Sequence, residues 1–126
     1  MGQKILIVED SEQDQKIIKK YLKEKGFNDL IFAGDGYQGL HLASVEEPDL
    51  IILDLKIPVG GGFGFLKNKR SSIKLSDIPI IVFSGSQDPG LKQQALELDV
   101  VSFIQKSTDL EPLMNEVQNI LNRTGQ

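Results

Sequence analysis

The feature that most limits the possible folds is the regular alternation of short apolar runs with helical patterns. The runs hold four to six residues and show no polar–apolar alternation, which is typical of strands buried on both faces of a parallel sheet. The weakest of them, residues 30–33, is expected at an edge of that sheet. The predicted strands cover residues 5–8, 30–33, 50–53, 78–83 and 100–104.

The stretches between these runs predict five helices. Ser11 can cap the first helix, and Thr108-x-x-Glu111 has the form of a capping box at the start of the last one. Five successive β–α units predict a parallel sheet with helices on both of its faces. The helical patterns lie between Ser11 and Gly26, over residues 36–45, 64–72 and 89–98, and from Thr108 to Leu121.

Composition places the chain among globular domains and excludes several function classes. Its 126 residues suit a single domain over residues 1–126. There is no cysteine, so neither a disulfide framework nor a thiolate metal site is expected. A net charge of −4 argues against direct nucleic-acid binding. The sequence shows no membrane span and no signal-peptide pattern, which predicts a cytoplasmic protein.

Polar side chains follow four of the five predicted strands. Glu9 and Asp10 follow the first, Asp54 the third, Ser84 ends the fourth, and Lys106 comes after the fifth. Each residue alone could be a helix cap, a turn residue or a solvated lysine. Because ligands of open α/β sheets bind at the carboxyl ends of the strands, their joint occurrence predicts one site at that edge.

Three carboxylates at one sheet edge would repel one another, by ~4 kcal/mol for two charges ~4 Å apart at an effective dielectric near 20. A divalent cation would compensate. Mg²⁺ suits an all-oxygen site, with Mn²⁺ also possible. Asp54 could then act as a carboxylate nucleophile toward a phosphoryl group. Lys106 could supply a positive charge and Ser84 a hydrogen bond to the phosphoryl oxygens.

These residues, at this spacing, resemble the receiver (CheY-like) domain of bacterial two-component response regulators. The resemblance covers essentially the whole chain and includes the stretch Asp54-x-x-x-Pro58-x-x-x-Gly62 followed by Leu66. It implies a flavodoxin-like (βα)5 three-layer sandwich, with a five-stranded parallel sheet of order 2-1-3-4-5 flanked by five helices. The function that it implies is a phosphoacceptor signalling switch rather than an enzyme acting on external substrates.

The resemblance also implies roles for individual residues. Asp54 would accept the phosphoryl group from a histidine kinase or a phosphotransfer protein. Asp10, Asp54 and the backbone carbonyl of Lys56 would bind Mg²⁺ directly, and Glu9 would act through water.

Further positions correspond to residues that hold the phosphoryl group and transmit the signal. Ser84 and Lys106 would contact the phosphoryl oxygens, and Phe103 would move inward when Ser84 is drawn to them. Lys56 and Ser86, two places after Asp54 and Ser84, would tune the rate of hydrolysis.

The chain departs from the family pattern at several positions. Gly60, Gly61 and Gly62 replace bulkier residues before a single glycine, which predicts mobility beside the site. Ser107 replaces a proline that usually follows a cis peptide bond. Because a cis bond before serine costs about 3–4 kcal/mol, a trans bond and some displacement of the Lys106 ammonium are expected. Asp99 replaces a glycine and can tolerate a positive φ.

Two other functions remain open at this point. One is a pseudo-receiver that binds proteins without using phosphate. The other is a metal-dependent phosphatase of the haloacid-dehalogenase type, which is disfavoured because Glu9 and Asp10 are adjacent and Ser11 follows. Lone His41 is expected to be an ordinary helix residue.

As a switch, the chain would need a kinase or phosphotransfer protein as donor and a downstream effector protein as target. By resemblance, the output face would combine the fourth helix, the fifth strand and the fifth helix. Candidate residues of this face are Leu91, Gln94, Asp99, Phe103 and Gln105.

Overall fold

The computed structural model describes residues 3–58 and 61–124, and these residues form a three-layer α/β sandwich. Its strands are β1 (Lys4–Val8), β2 (Asp29–Ala33), β3 (Leu50–Leu53), β4 (Ile80–Ser84) and β5 (Ser102–Gln105). Its helices are α1 (Glu12–Glu24), α2 (Gly36–Glu46), α3 (Gly61–Ser71), α4 (Pro89–Leu96) and α5 (Glu111–Thr124).

The sheet has the predicted topology. All four strand pairings are parallel, and the order is β2-β1-β3-β4-β5. The three central strands are almost wholly buried, whereas β2 and β5 are more exposed and lie at the edges. The expectation that residues 30–33 form an edge strand is therefore confirmed.

Two hydrophobic cores separate the sheet from the two helix layers. Alternate residues of each central strand point to opposite faces, so Leu6 enters one core and Ile7 the other. The first core lies under α2, α3 and α4, with Phe65 and Leu66 of α3 fully buried in it. The second lies under α1 and α5, where the apolar stripe of α5 packs on the sheet. This stripe consists of Leu113, Met114, Val117, Ile120 and Leu121.

Several predicted boundaries shift. The capping box at Thr108 is wrong: α5 begins at Glu111, and the Asp109 carboxylate accepts the Glu111 N–H at 3.0 Å. The fifth strand begins at Ser102, after a turn in which Asp99 adopts φ 66°. A positive φ at this aspartate confirms the expectation that it can replace glycine there.

The two described residues of the glycine run, Gly61 and Gly62, form the start of α3. Gly60 lies outside the described residues. Gly61 has φ 68° and is the first residue of α3. Gly62 donates its N–H to the Leu55 carbonyl at 3.1 Å, and a Cβ built on it would lie 2.5 Å from the Leu55 Cα. The close approach of α3 to the Leu55 backbone therefore requires glycine at position 62.

A search of the described residues finds no helix that is long and apolar enough to cross a membrane.

Candidate functional site

The structure brings the predicted site residues to one edge of the sheet. Backbone hydrogen bonds extend the strand pairing past the strand ends: Glu9 N–H donates to Ala33, Asp54 N–H to Val8, and Lys106 N–H to Ser84. These bonds are 2.8–3.0 Å long. The polar residues are thus held by the sheet itself rather than by free loops.

Glu9, Asp10 and Asp54 form a compact acidic cluster. Each offers a carboxylate oxygen, and these oxygens lie within 4.8 Å of one another. Glu9 and Asp54 are buried, whereas Asp10 is exposed. Burial on one side and access to solvent on the other give the cluster an open face toward an incoming ion or phosphoryl group.

The donor set fits a hard divalent cation. It contains only oxygen, which Mg²⁺ and Mn²⁺ prefer. Two oxygens on opposite sides of an octahedral Mg²⁺ lie roughly 4.2 Å apart, so small side-chain adjustments suffice to bring the Glu9, Asp10 and Asp54 oxygens within reach of one ion. The same open, carboxylate-lined geometry would leave coordination positions for water and for phosphoryl oxygens.

Lys106 is the positive charge of the site. Its Nζ donates to Glu9 Oε1 at 2.7 Å, to Asp14 Oδ2 at 2.8 Å and to Asp54 Oδ2 at 3.0 Å. No cis peptide bond occurs in the described residues, so the trans Lys106–Ser107 bond is confirmed. Whether the ammonium is displaced from its usual place in the family stays a prediction, but it is in direct contact with Asp54.

The electrostatics follow from burial and from these ion pairs. Burial lowers the pKa of Lys106, but its hydrogen bonds with Asp14, Glu9 and Asp54 outweigh burial and raise that pKa above the usual lysine value. Burial raises the pKa of Glu9, against the opposing effect of its hydrogen bonds with Lys106 and Ser11. A cation bound beside Glu9 would therefore stabilise the ionised form of this carboxyl.

Sequence reasoning missed two residues on α1. The Asp14 carboxylate reaches Lys106, and the Gln15 side-chain amide donates to the Glu9 carbonyl at 2.6 Å. Both follow the capping residue Ser11, whose side chain accepts the Asp14 N–H. Both residues lie in the first turn of a helix that starts at the functional edge of the sheet, and that position in the sequence could have identified them.

The remaining predicted residues lie at the ends of β3 and β4, which are neighbours in the sheet. The Lys56 N–H donates to Asp54 Oδ1 at 3.1 Å, so this peptide lies beside the carboxylate, while the Lys56 side chain is exposed. Ser84 is fully buried, and its Oγ accepts the Ser86 N–H at 3.3 Å. The next loop thus begins directly beside the hydroxyl that was predicted to contact the phosphoryl group.

Phe103 lies on the edge strand β5. It is half-buried against the core under α4 and lines a cavity of about 290 Å³ together with Ser86 and Gln105. Of the predicted output face, Leu91 is half-buried, and Gln94, Asp99 and Gln105 are exposed. His41 is exposed on α2, as expected of an ordinary helix residue.

Comparison with known proteins agrees with this geometry. Residues 5–118 match the family described as "Response regulator receiver domain". The chain is 35% identical over 120 residues to the transcriptional activator protein IrlR of Burkholderia pseudomallei, covering 95% of this chain and 51% of that protein. It thus spans about half the length of the first curated relatives it matches.

Two solved structures are similar in fold and sequence. The Mn²⁺-bound form of response regulator Rcp1 has a TM-score of 0.77 at 29% identity, over 95% of this chain and 92% of that chain. The chemotaxis response regulator CheY4 of Vibrio cholerae has a TM-score of 0.86 at 27% identity, over 96% of this chain and 100% of that chain. The family match spans nearly the whole sheet and all four strand ends that carry site residues, and the chain therefore belongs to the response regulator receiver domain family.

Proposed function

We propose that this receiver domain is a phosphoacceptor switch in which Asp54 takes a phosphoryl group from a histidine kinase or a phosphotransfer protein. The observation that carries this proposal is the position of Asp54. Its carboxylate shares an oxygen cluster with Glu9 and Asp10 and also contacts the Lys106 ammonium at 3.0 Å. A nucleophile, a cation site and a fixed positive charge therefore converge on one open face.

The transfer is a displacement at phosphorus. A carboxylate oxygen of Asp54 forms the new bond to phosphorus while the bond to the donor nitrogen of a phosphohistidine breaks. The electron pair of that bond stays on the imidazole. Bound Mg²⁺ would neutralise negative charge on the phosphoryl oxygens. Lys106 supplies further positive charge, and the Ser84 hydroxyl donates a hydrogen bond once it turns toward the phosphoryl group.

The cation ligands are proposed as Asp10, Asp54 and the backbone carbonyl of Lys56. Glu9 would act through water, because Oε1 already accepts from Lys106 and Oε2 accepts the Ser11 N–H at 3.1 Å. The exposure of Asp10 supports a direct role, since its carboxylate can reach an ion that enters from solvent. Mn²⁺ would substitute for Mg²⁺ at such an all-oxygen site.

Signal output is proposed to pass from Ser84 to Phe103. Movement of the buried Ser84 hydroxyl would shift the loop that begins at Ser86, and the cavity beside Phe103 leaves space for the ring to reorient. The face of α4, β5 and α5 would then change its affinity for a downstream effector protein. Lys56 and Ser86 flank the phosphoryl position and would tune the access of the hydrolytic water.

Phosphorylation by a small donor tests the proposal. Incubation with acetyl phosphate or phosphoramidate and Mg²⁺ should add the mass of one phosphoryl group. The Asp54→Ala variant should not gain it, and the matched control Asp77→Ala, at an exposed aspartate, should. No mass gain with any donor would instead support a pseudo-receiver that binds partners without phosphate. Turnover of an external phosphomonoester would support the phosphatase alternative.

The cytoplasmic location and the single domain over residues 1–126 stay predictions.

A further inference from the structure

Asp14 is a third partner of the Lys106 ammonium and lies outside the acidic cluster. An ammonium has three N–H donors, and Lys106 places one on each of Glu9, Asp14 and Asp54. The Lys106 side chain is 22% exposed and that of Asp14 37%. No donor of Lys106 is therefore left over for a phosphoryl oxygen until one of these partners releases it.

The local geometry of α1 leaves the Asp14 carboxylate available for this contact. Asp14 is the third residue of the helix that Ser11 caps, the position at which a Glu or Gln side chain reaches back to the N–H of the capping residue in a capping box. Here Glu9 Oε2 accepts that Ser11 N–H instead. The Asp14 N–H still donates to the Ser11 hydroxyl at 3.2 Å, so the helix start holds the residue in place while its carboxylate turns to Lys106.

The three partners of Lys106 differ in what else they must do. Glu9 and Asp54 belong to the oxygen cluster that would hold the cation, and Asp54 is also the proposed phosphoacceptor. Asp14 is not a member of that cluster. Among the described carboxylates that contact Lys106, Asp14 is therefore the one that neither the cation nor the phosphoryl group needs to take over.

We propose that Asp14 is a positioning residue that holds the Lys106 ammonium toward α1 and so limits its competition with the divalent cation for Glu9 and Asp54. This inference rests on the proposed function, in which that cluster binds a cation. Without the Asp14 carboxylate, the ammonium would settle more fully on Glu9 and Asp54. The cation would then have to displace a tighter internal ion pair before it could bind.

Calorimetric titration with Mn²⁺ alone tests this without any phosphoryl donor. Asp14→Asn should weaken Mn²⁺ binding roughly threefold or more, the scale of a partly exposed ion pair. Glu12→Gln is the matched control, because it removes one negative charge from an exposed position in the same helical turn. Asp14→Glu, which restores a carboxylate, should recover most of the affinity.

A double-mutant cycle separates the contact with Lys106 from simple loss of charge. In a Lys106→Met background, Asp14→Asn should have no more effect on Mn²⁺ affinity than Glu12→Gln has. The proposal is overturned if Asp14→Asn and Glu12→Gln weaken binding equally in the unsubstituted protein, or if the Asp14→Asn effect persists in full without Lys106. Either result, in a protein that still binds Mn²⁺ and accepts a phosphoryl group, leaves the proposed function standing.

Discussion

Replacement of Gly62 by alanine should destabilise the domain although it adds only one methyl group. A Cβ at this position would lie 2.5 Å from the Leu55 Cα, 2.7 Å from its carbonyl oxygen and 2.9 Å from its carbonyl carbon. All three atoms belong to the backbone that follows Asp54, so no side-chain rotation can relieve the overlap. Either α3 or the 54–56 segment must move.

The size of the effect follows from two opposing contributions. Overpacking in a well-packed region costs about 1–3 kcal/mol, and contacts with immobile backbone belong at the upper end of that range. The better helix propensity of alanine returns about 1 kcal/mol. The net expectation for Gly62→Ala is a loss of about 2 kcal/mol in the free energy of unfolding. For a domain of this size that corresponds to a fall in Tm of roughly 8 °C.

Gly64→Ala is the matched control. It lies in the same helix, and a Cβ built there meets nothing within 4 Å. This variant should therefore gain about 0.5–1 kcal/mol from helix propensity alone. Urea unfolding followed by far-UV circular dichroism measures both, and the slopes should be unchanged. Equal midpoints for the two variants would refute the argument, because they would mean that the Leu55 contact costs nothing.

Two further predictions test the site and the turn before β5. Lys106→Met should tighten Mn²⁺ binding by roughly tenfold or more, because a positive charge that opposes the cation is removed. One such charge at ~4 Å is worth ~4 kcal/mol at an effective dielectric of 20, and solvent and salt around this partly exposed side chain screen much of it. Unchanged or weaker binding by calorimetry would contradict the competition between Lys106 and the cation. Asp99→Ala should be about 1 kcal/mol less stable than Asp99→Gly, because Asp99 has φ 66° and alanine pays a steric penalty there. Identical urea midpoints for these two variants would show that the turn relaxes to a negative φ.

The elements and the site were predictable because both depend on local sequence combined with general rules of parallel sheets. Continuous apolar runs indicated buried strands, and the edge position of residues 30–33 followed from the weakness of that run. Once the strands were assigned, Asp54 and Lys106 had to emerge at the same edge. The start of α5 was not predictable from Thr108. In a capping box the Thr108 hydroxyl would accept the Glu111 N–H, but in the structure the Asp109 carboxylate accepts it.

The sequence by itself determined the strand–helix alternation, the order of the elements and the set of polar residues at the strand ends, because each depends on neighbours along the chain. Only the tertiary structure decided which carboxylates share the Lys106 ammonium. Asp14 and Lys106 are 92 positions apart, and they meet because α1 and the segment after β5 both lie at the carboxyl edge of the folded sheet. The same holds for Gly62. Only glycine fits at this position, because α3 packs there against the Leu55 backbone. Such contacts depend on differences of a few tenths of an ångström in the distances between distant segments. The periodicity and spacing of residues in the sequence do not encode these distances.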